Sequence, residues 1–367
     1  MKKIYYIVFI TAFIIGSCTM PTAENTYTID VVAEGIEGKN LKLQKRADGE
    51  WITIDSMQVI ESQAVFTGIL DNPEFFYLSV EGNRNVFGFF AEASPMNIRL
   101  HTENIRESEL TGSETHDRYE HFIINYESFN DKLRAAYAEY QAAEMNQDKE
   151  GMDIAEASYT STQIEQNQYL VDFVNNNSED VVAHFALYRN SYMFELEELE
   201  GMVANFDPNK NSIYADELRE KVEILRRVAV GQPFVDFEQE DPTGQLIALS
   251  DAVGSKLLLV DFWASWCGPC RRENPNIVAV YQDYKDKGFD VFGVSLDTDK
   301  DKWIEAIEED ELTWWHVSDL AGWGNNAGKK YGVQSIPHSV LIDENGIIID
   351  KNLRDEELRS TIAALLD

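Results

Sequence analysis

Residues 257–263 read Leu-Leu-Leu-Val-Asp-Phe-Trp, an apolar run carrying one carboxylate, and they lead within four residues into Cys267-Gly268-Pro269-Cys270. A continuous apolar run of this kind predicts a strand buried on both faces, as in the interior of a parallel sheet flanked by helices. From Arg271 to Asp286 the apolar residues recur at helical spacing, so the order is strand, Cys-x-x-Cys, helix. That order suits thiol chemistry. A cysteine at a helix N-terminus has its sulfur among unpaired backbone N–H groups at the positive end of the helix dipole, which favours the nucleophilic thiolate. Cys270, three positions on, is near enough to attack a mixed disulfide formed at Cys267 and release the partner. Burial in the apolar strand should raise the pKa of Asp261.

The chain has 367 residues and only three cysteines, and the third opens a different question. Residues 1–18 begin with Lys2 and Lys3, continue with an uncharged apolar run from Ile4 to Ile15, and end in Ile15-Gly16-Ser17-Cys18. Twelve helical residues reach about 18 Å, short of the ~30 Å hydrocarbon core, so this predicts an export signal and not a spanning helix. Its end resembles the lipobox of bacterial lipoproteins. That resemblance implies cleavage after residue 17, lipidation of Cys18 and a polar tether over 18–26, on a protein attached to a membrane of the cell envelope and facing the periplasm.

The expected architecture is a multidomain α+β protein. Over 27–112, short alternating runs spaced near ten residues and broken by Glu37-Gly38, Asp48-Gly49, Asp71-Asn72-Pro73 and Glu81-Gly82-Asn83 predict an antiparallel β sandwich or barrel. Over 113–230, apolar residues at three- and four-residue spacing predict an α-helical region. Its Tyr and Phe residues are expected to be core and not a ligand stripe, and His116, His121 and His184, without cysteine or carboxylate partners at metal-ligand spacing, to be structural or surface groups. A new domain is expected from Gly231 to Asp367. In it Phe234–Phe237 and Leu246–Leu249 should form a hairpin about Asp241-Pro242-Thr243-Gly244.

The sequence VDFWASWCGPC resembles thioredoxin, and the wider pattern over 231–367 is similar to the exported TlpA/ResA branch of that family. The resemblance implies a C-terminal α/β thioredoxin-like fold and a thiol-disulfide oxidoreductase with no metal or organic cofactor. GFDVFGVSLD would be the second parallel strand, the segment with Trp314, Trp315, His316 and Trp323 the insertion of that branch, and Ser335-Ile336-Pro337 the proline loop. By the same resemblance Cys267 and Cys270 form the redox disulfide, Asp261 exchanges a proton with Cys270, and Glu273 tunes the pair. The backbone of Ile336 beside Pro337 would pair with substrate. Trp266 and Trp263 are expected to shape the surface beside Cys267, and His338 to be an ordinary strand histidine. Partners implied are a disulfide-containing exported protein, or apocytochrome c, and a membrane electron donor for re-reduction. The region 27–112 resembles a small β-rich domain of unassigned function that precedes thioredoxin-like domains in bacterial lipoproteins. Binding module and spacer both remain open for it.

Other chemistries fit poorly. Net charge is -34, with 65 acidic and 31 basic residues, which opposes sustained binding to nucleic acid. A zinc site would need further ligands beyond one cysteine pair. Haem attachment needs Cys-x-x-Cys-His, and Arg271 follows Cys270; a peroxidatic cysteine would have Thr at position 264, which is Ala; no phosphate-binding loop is present. The rival from another class is a ligand- or protein-binding lipoprotein using the thioredoxin fold as a scaffold, against which the intact cysteine pair, Asp261 and Pro337 argue. Oligomeric state is not determined by the sequence.

Overall fold

The structure, a computed structural model, describes residues 25–47, 50–210 and 212–367. The export signal over 1–17, Cys18 and most of the 18–26 tether lie outside the described residues. Among the described residues no helix is long and apolar enough to cross a membrane. The chain divides into two compact units, one of described residues up to Leu43 with Asp55–Ser113, the other of Gln44–Ile54 with Glu114–Asp367.

Eight strands come first: β1 (Thr26–Val32), β2 (Asn40–Ala47), β3 (Glu50–Gln58), β4 (Gln63–Ile69), β5 (Glu74–Val80), β6 (Val86–Ala91), β7 (Pro95–Arg99) and β8 (Glu109–Thr111). They form two four-stranded sheets in the orders β4-β1-β7-β8 and β3-β2-β5-β6. Alternation sets the inward face: β1 buries Tyr27, Ile29 and Val31, and Ile29 lies opposite Phe66 of β4. Ile29, Phe66, Met96 and Ile98 of one sheet share a core with Leu41, Phe76, Leu78 and Phe89 of the other. Pairing departs from the antiparallel expectation where β1 and β7 run parallel, with Ile29 opposite Met96. Strands β5 and β6 lie in the other sheet, so the chain returns to β1 by a crossover and not by a hairpin.

Helices α1 (Glu114–Met145), α2 (Lys149–Asn176), α3 (Val181–Asn190), α4 (Leu196–Val203) and α5 (Ile213–Arg227) follow. Asp148 ends the α1–α2 turn by accepting a hydrogen bond from the Gly151 N–H at 3.1 Å. Part of the aromatic set packs as expected, the Phe122 ring lying 4.4 Å from Phe173 and 5.8 Å from Tyr169, whereas Tyr137, Tyr159 and Tyr192 are exposed and are not core. His184 is buried with Nε2 2.9 Å from the Ser178 carbonyl oxygen, a structural histidine.

The C-terminal part contains β9 (Glu238–Glu240), β10 (Leu246–Ala248), α6 (Leu249–Ala252), β11 (Leu257–Trp263), α7 (Gly268–Tyr284), β12 (Phe289–Ser295) and α8 (Lys300–Glu309). It ends with β13 (Trp315–Val317), α9 (Asn326–Tyr331), β14 (His338–Asp343), β15 (Ile348–Lys351) and α10 (Asp355–Leu366). Its five-stranded sheet has the order β13-β12-β11-β14-β15. β11 is central, parallel to β12 and antiparallel to β14, and all of its residues are buried.

The hairpin expected from Phe234–Phe237 begins later, at Glu238. Phe237 instead enters the core against Phe292 and Tyr331, while the Tyr331 hydroxyl donates to the Val235 carbonyl at 2.9 Å and accepts from its N–H at 3.1 Å. These contacts hold the segment as a strap anchored by the buried Phe237. The helical region is continuous with this sheet: Val228, just past α5, is buried in the same core as β11 and β12.

Gly293 of β12 lies opposite Asp261 of β11, and a Cβ added there would fall 2.3 Å from Nδ1 of the buried His316. Gly293→Ala should therefore destabilise the protein by roughly 2 kcal/mol. Urea denaturation compared with a neighbouring exposed Ala substitution, Lys256→Ala, measures this.

Candidate active site

Cys267 and Cys270 are joined by a disulfide, with Cα atoms 5.3 Å apart. The helix expected from Arg271 begins three residues earlier, at Gly268, which makes Cys267 its N-cap. The Cys270 N–H donates to Cys267 Sγ at 3.1 Å. On reduction the same N–H, and the positive end of the α7 dipole, face a Cys267 thiolate. Cys267 is only 4% exposed.

The turn that delivers Cys267 is tied down by residues that sequence reasoning passed over. Buried Asp297 accepts hydrogen bonds from the Ser265 N–H at 2.9 Å, the Ser265 hydroxyl at 2.6 Å and the Ser295 hydroxyl at 2.7 Å. Arg271 donates to the Ser265 carbonyl at 3.3 Å while its guanidinium is held by Asp310 and Glu309 at the end of α8. Asn274 reaches the same Asp310 carboxylate at 2.6 Å. Neither Asp297 nor Arg271 belongs to a motif. Their only sequence signal is a charged residue directly after an apolar strand and directly after Cys270.

The Ile336–Pro337 peptide bond is cis, and the Ile336 carbonyl oxygen lies 3.7 Å from Cys267 Sγ. The proline loop and the cysteine pair thus lie together. Arg354, also unforeseen, donates to the Pro337 carbonyl from the turn before α10. Trp266 is 53% exposed beside Cys267, and its ring centroid is 6.0 Å from that of Trp323, itself 48% exposed. Trp263 is not on this surface, contrary to expectation. It is fully buried, 5.6 Å from the His316 ring, because the end of β11 still lies inside the sheet.

Asp261 is 5% exposed, and burial pushes its pKa from 3.8 up to about 7, with the Glu273 charge adding to the rise and Arg354 opposing it. Glu273 is 8% exposed and accepts from the Asn276 side chain at 2.8 Å and the Asp355 N–H at 3.0 Å. It is a buried, fixed carboxylate and not a solvated helix residue. His338 opens β14 against the Phe262 ring, and burial, with Lys351 and Arg354 adding, pushes its pKa down to about 3. It stays neutral, as a strand histidine.

The Cys267–Cys270 disulfide at the cap of α7, with the cis Ile336–Pro337 loop against Cys267 Sγ, sits on a thioredoxin-like fold, the arrangement of a thiol-disulfide oxidoreductase. Comparison with known proteins agrees. A family model described as Redoxin matches residues 229–366, and one described as a domain of unknown function (DUF4369) matches residues 27–119. Thiol-disulfide oxidoreductase ResA of Geobacillus thermodenitrificans is 32% identical over 157 residues, covering 42% of this chain and 86% of that protein. Thioredoxin-like protein YneN of Bacillus subtilis is 34% identical over 123 residues, covering 33% of this chain and 69% of that one. The solved thioredoxin domain of a Bacteroides vulgatus thiol-disulfide oxidoreductase is 34% identical, with 38% of this chain and 99% of that chain covered and a TM-score of 0.36. The chain belongs to the ResA-like thiol-disulfide oxidoreductases.

The raised pKa of Asp261 has a consequence for stability. Between about pH 4 and about pH 7 the folded protein keeps a proton that the unfolded chain has released, so stability falls as pH rises through that window. The shift from 3.8 to about 7 corresponds to an upper bound of about 4 kcal/mol. Between pH 5 and pH 8 Asp261→Asn should gain up to about 3 kcal/mol of stability relative to the parent, the part of the shift that lies above pH 5. Denaturant unfolding of the oxidised proteins at the two pH values checks this.

Proposed function

We propose that this oxidoreductase works as a lipid-anchored reductase of the cell envelope, facing the periplasm, with disulfides of exported proteins or of apocytochrome c as its substrates. The observation that carries the reaction is Cys267 at the cap of α7, with the Cys270 N–H on its sulfur and the Ile336 carbonyl 3.7 Å away. In the reduced enzyme the Cys267 thiolate attacks one sulfur of the substrate disulfide, forming a mixed disulfide and expelling the other sulfur as a thiolate, which takes up a proton. Cys270 then gives its proton to the Asp261 carboxylate and attacks Cys267, releasing the second substrate thiol and leaving the Cys267–Cys270 disulfide. Glu273, fixed behind the pair, biases the Asp261 proton. Backbone groups at Ile336-Pro337 and the exposed Trp266 ring receive the substrate chain. A membrane electron donor returns two electrons and two protons to the disulfide.

Gly268-Pro269 between the cysteines supports the reducing direction, since thioredoxin, with the same dipeptide, has a potential of about −270 mV against about −120 mV for the oxidant DsbA. Redox titration of the Cys267–Cys270 couple should fall nearer the first value; a potential near the second overturns the reductase assignment. Cys267→Ala should abolish reduction of a protein disulfide, and Cys270→Ser should accumulate a mixed disulfide through Cys267, visible as a mass adduct lost on adding dithiothreitol.

The anchor rests on Cys18, where each buried acyl methylene would contribute ~0.8 kcal/mol to membrane binding. Cells fed radiolabelled palmitate should label the parent protein and not Cys18→Ser, and the variant should leave the membrane fraction. Equal labelling of the two removes the anchor.

A further inference from the structure

The proline loop is gripped at both ends, and one of the grips comes from the helical region. Gly332 ends α9 with φ +68, and a Cβ there would lie 2.9 Å from the Leu225 side chain and 3.4 Å from that of Ile224, both on α5. Helix α5 therefore sits directly on the turn that leads into Gln334-Ser335-Ile336-Pro337. Two residues after that glycine, the Gln334 side-chain oxygen accepts a hydrogen bond from Lys221 Nζ of α5, and the same ammonium donates to Ser191 Oγ at 2.9 Å. Ser191 follows α3, is buried, and donates to the Tyr188 carbonyl at 3.0 Å, with its Oγ 3.5 Å from the Gln334 oxygen. At the other end Arg354 holds the Pro337 carbonyl. Ser335 and Ile336 lie between the two grips, and the Ile336 carbonyl faces Cys267.

The Lys221 ammonium is costly where it stands. Burial pulls its pKa down to about 7, and no neighbouring carboxylate figures among the causes. A contact needed only to pack α5 on the loop would be served by an apolar side chain at lower cost. An ammonium supplies what an apolar group cannot: directed hydrogen bonds that fix Gln334, and through it the loop, in one position.

We infer that Lys221, with Ser191 and Gln334, is a positioning site for substrate capture, through which the helical region holds the Ile336-Pro337 loop ready to receive a polypeptide backbone. The helical region is then part of the enzyme's substrate recognition and not a spacer. This inference rests on the proposed reductase function, and its effect is confined to substrates that use the loop. A small disulfide needs only Cys267.

The experiment uses the full chain, with insulin as the protein disulfide and hydroxyethyl disulfide as the small one. Lys221→Met should raise KM for insulin about fivefold, the size of one hydrogen bond of average net strength. Turnover of hydroxyethyl disulfide and the potential of the cysteine couple should stay at the parent values. Gln334→Glu, which offers the ammonium a carboxylate, should keep KM for insulin at or below that of the parent. Combined with Lys221→Met it should give a KM above that of either single variant. An unchanged insulin KM in Lys221→Met, or equal losses on both substrates, overturns the inference while leaving the reductase assignment standing. A parent that reduces hydroxyethyl disulfide and not insulin overturns that assignment, and this inference with it.

Discussion

Everything at the active site hangs from the burial of β11 in the middle of its sheet. A strand enclosed on both faces and paired on both edges can shift in neither direction without exposing apolar surface or breaking two ladders. Its C-terminal end therefore fixes where Ala264 starts the turn and where Cys267 meets the helix. The same enclosure sets the electrostatics, because burial of Asp261 pushes its pKa up to about 7. Position of the nucleophile and basicity of its helper come from one act of packing.

Around that strand the fixing groups are polar, and all but Arg271 come from elements distant in sequence from Cys267 and Cys270. Asp297 follows β12, Arg271 joins α7 to the end of α8, Arg354 precedes α10, and Lys221 belongs to a helix outside the thioredoxin-like sheet. Each makes at least one hydrogen bond to a backbone or side-chain group of the two loops that flank the sulfurs. None was legible in the sequence, because a single charged residue carries no periodicity and no motif until the fold chooses its partner.

What was legible depended on dense local patterns. The apolar run around Asp261, the spacing of Cys267 and Cys270 and the Ile336-Pro337 dipeptide each limit local conformation strongly, and the structure brings all three together. The β and helical regions could be told apart by the period of their apolar residues. Errors arose where the local pattern was short. Phe234–Phe237 has the composition of a strand, yet two aromatic contacts and the Tyr331 hydroxyl make it a strap. The parallel pairing of β1 with β7 depends on which sheet receives β5 and β6, a choice made across the core. Trp263 and Trp266 read alike in sequence and differ only because the strand ends between them.

The passage from α5 into the sheet also touches β15. The Gly231 N–H donates to the Ile348 carbonyl at 2.7 Å, the Ile348 N–H donates to the Gln232 carbonyl at 2.9 Å, and the Phe234 N–H reaches the Gly346 carbonyl at 2.9 Å. β15 is the outer strand of its sheet, where unpaired backbone groups would invite another chain to add on. The connecting segment occupies part of that row itself, with Pro233, which has no N–H to offer, at its middle. The connecting segment thereby takes up both backbone groups of Ile348, the residue at which β15 begins, leaving a shorter row for any other chain to pair with.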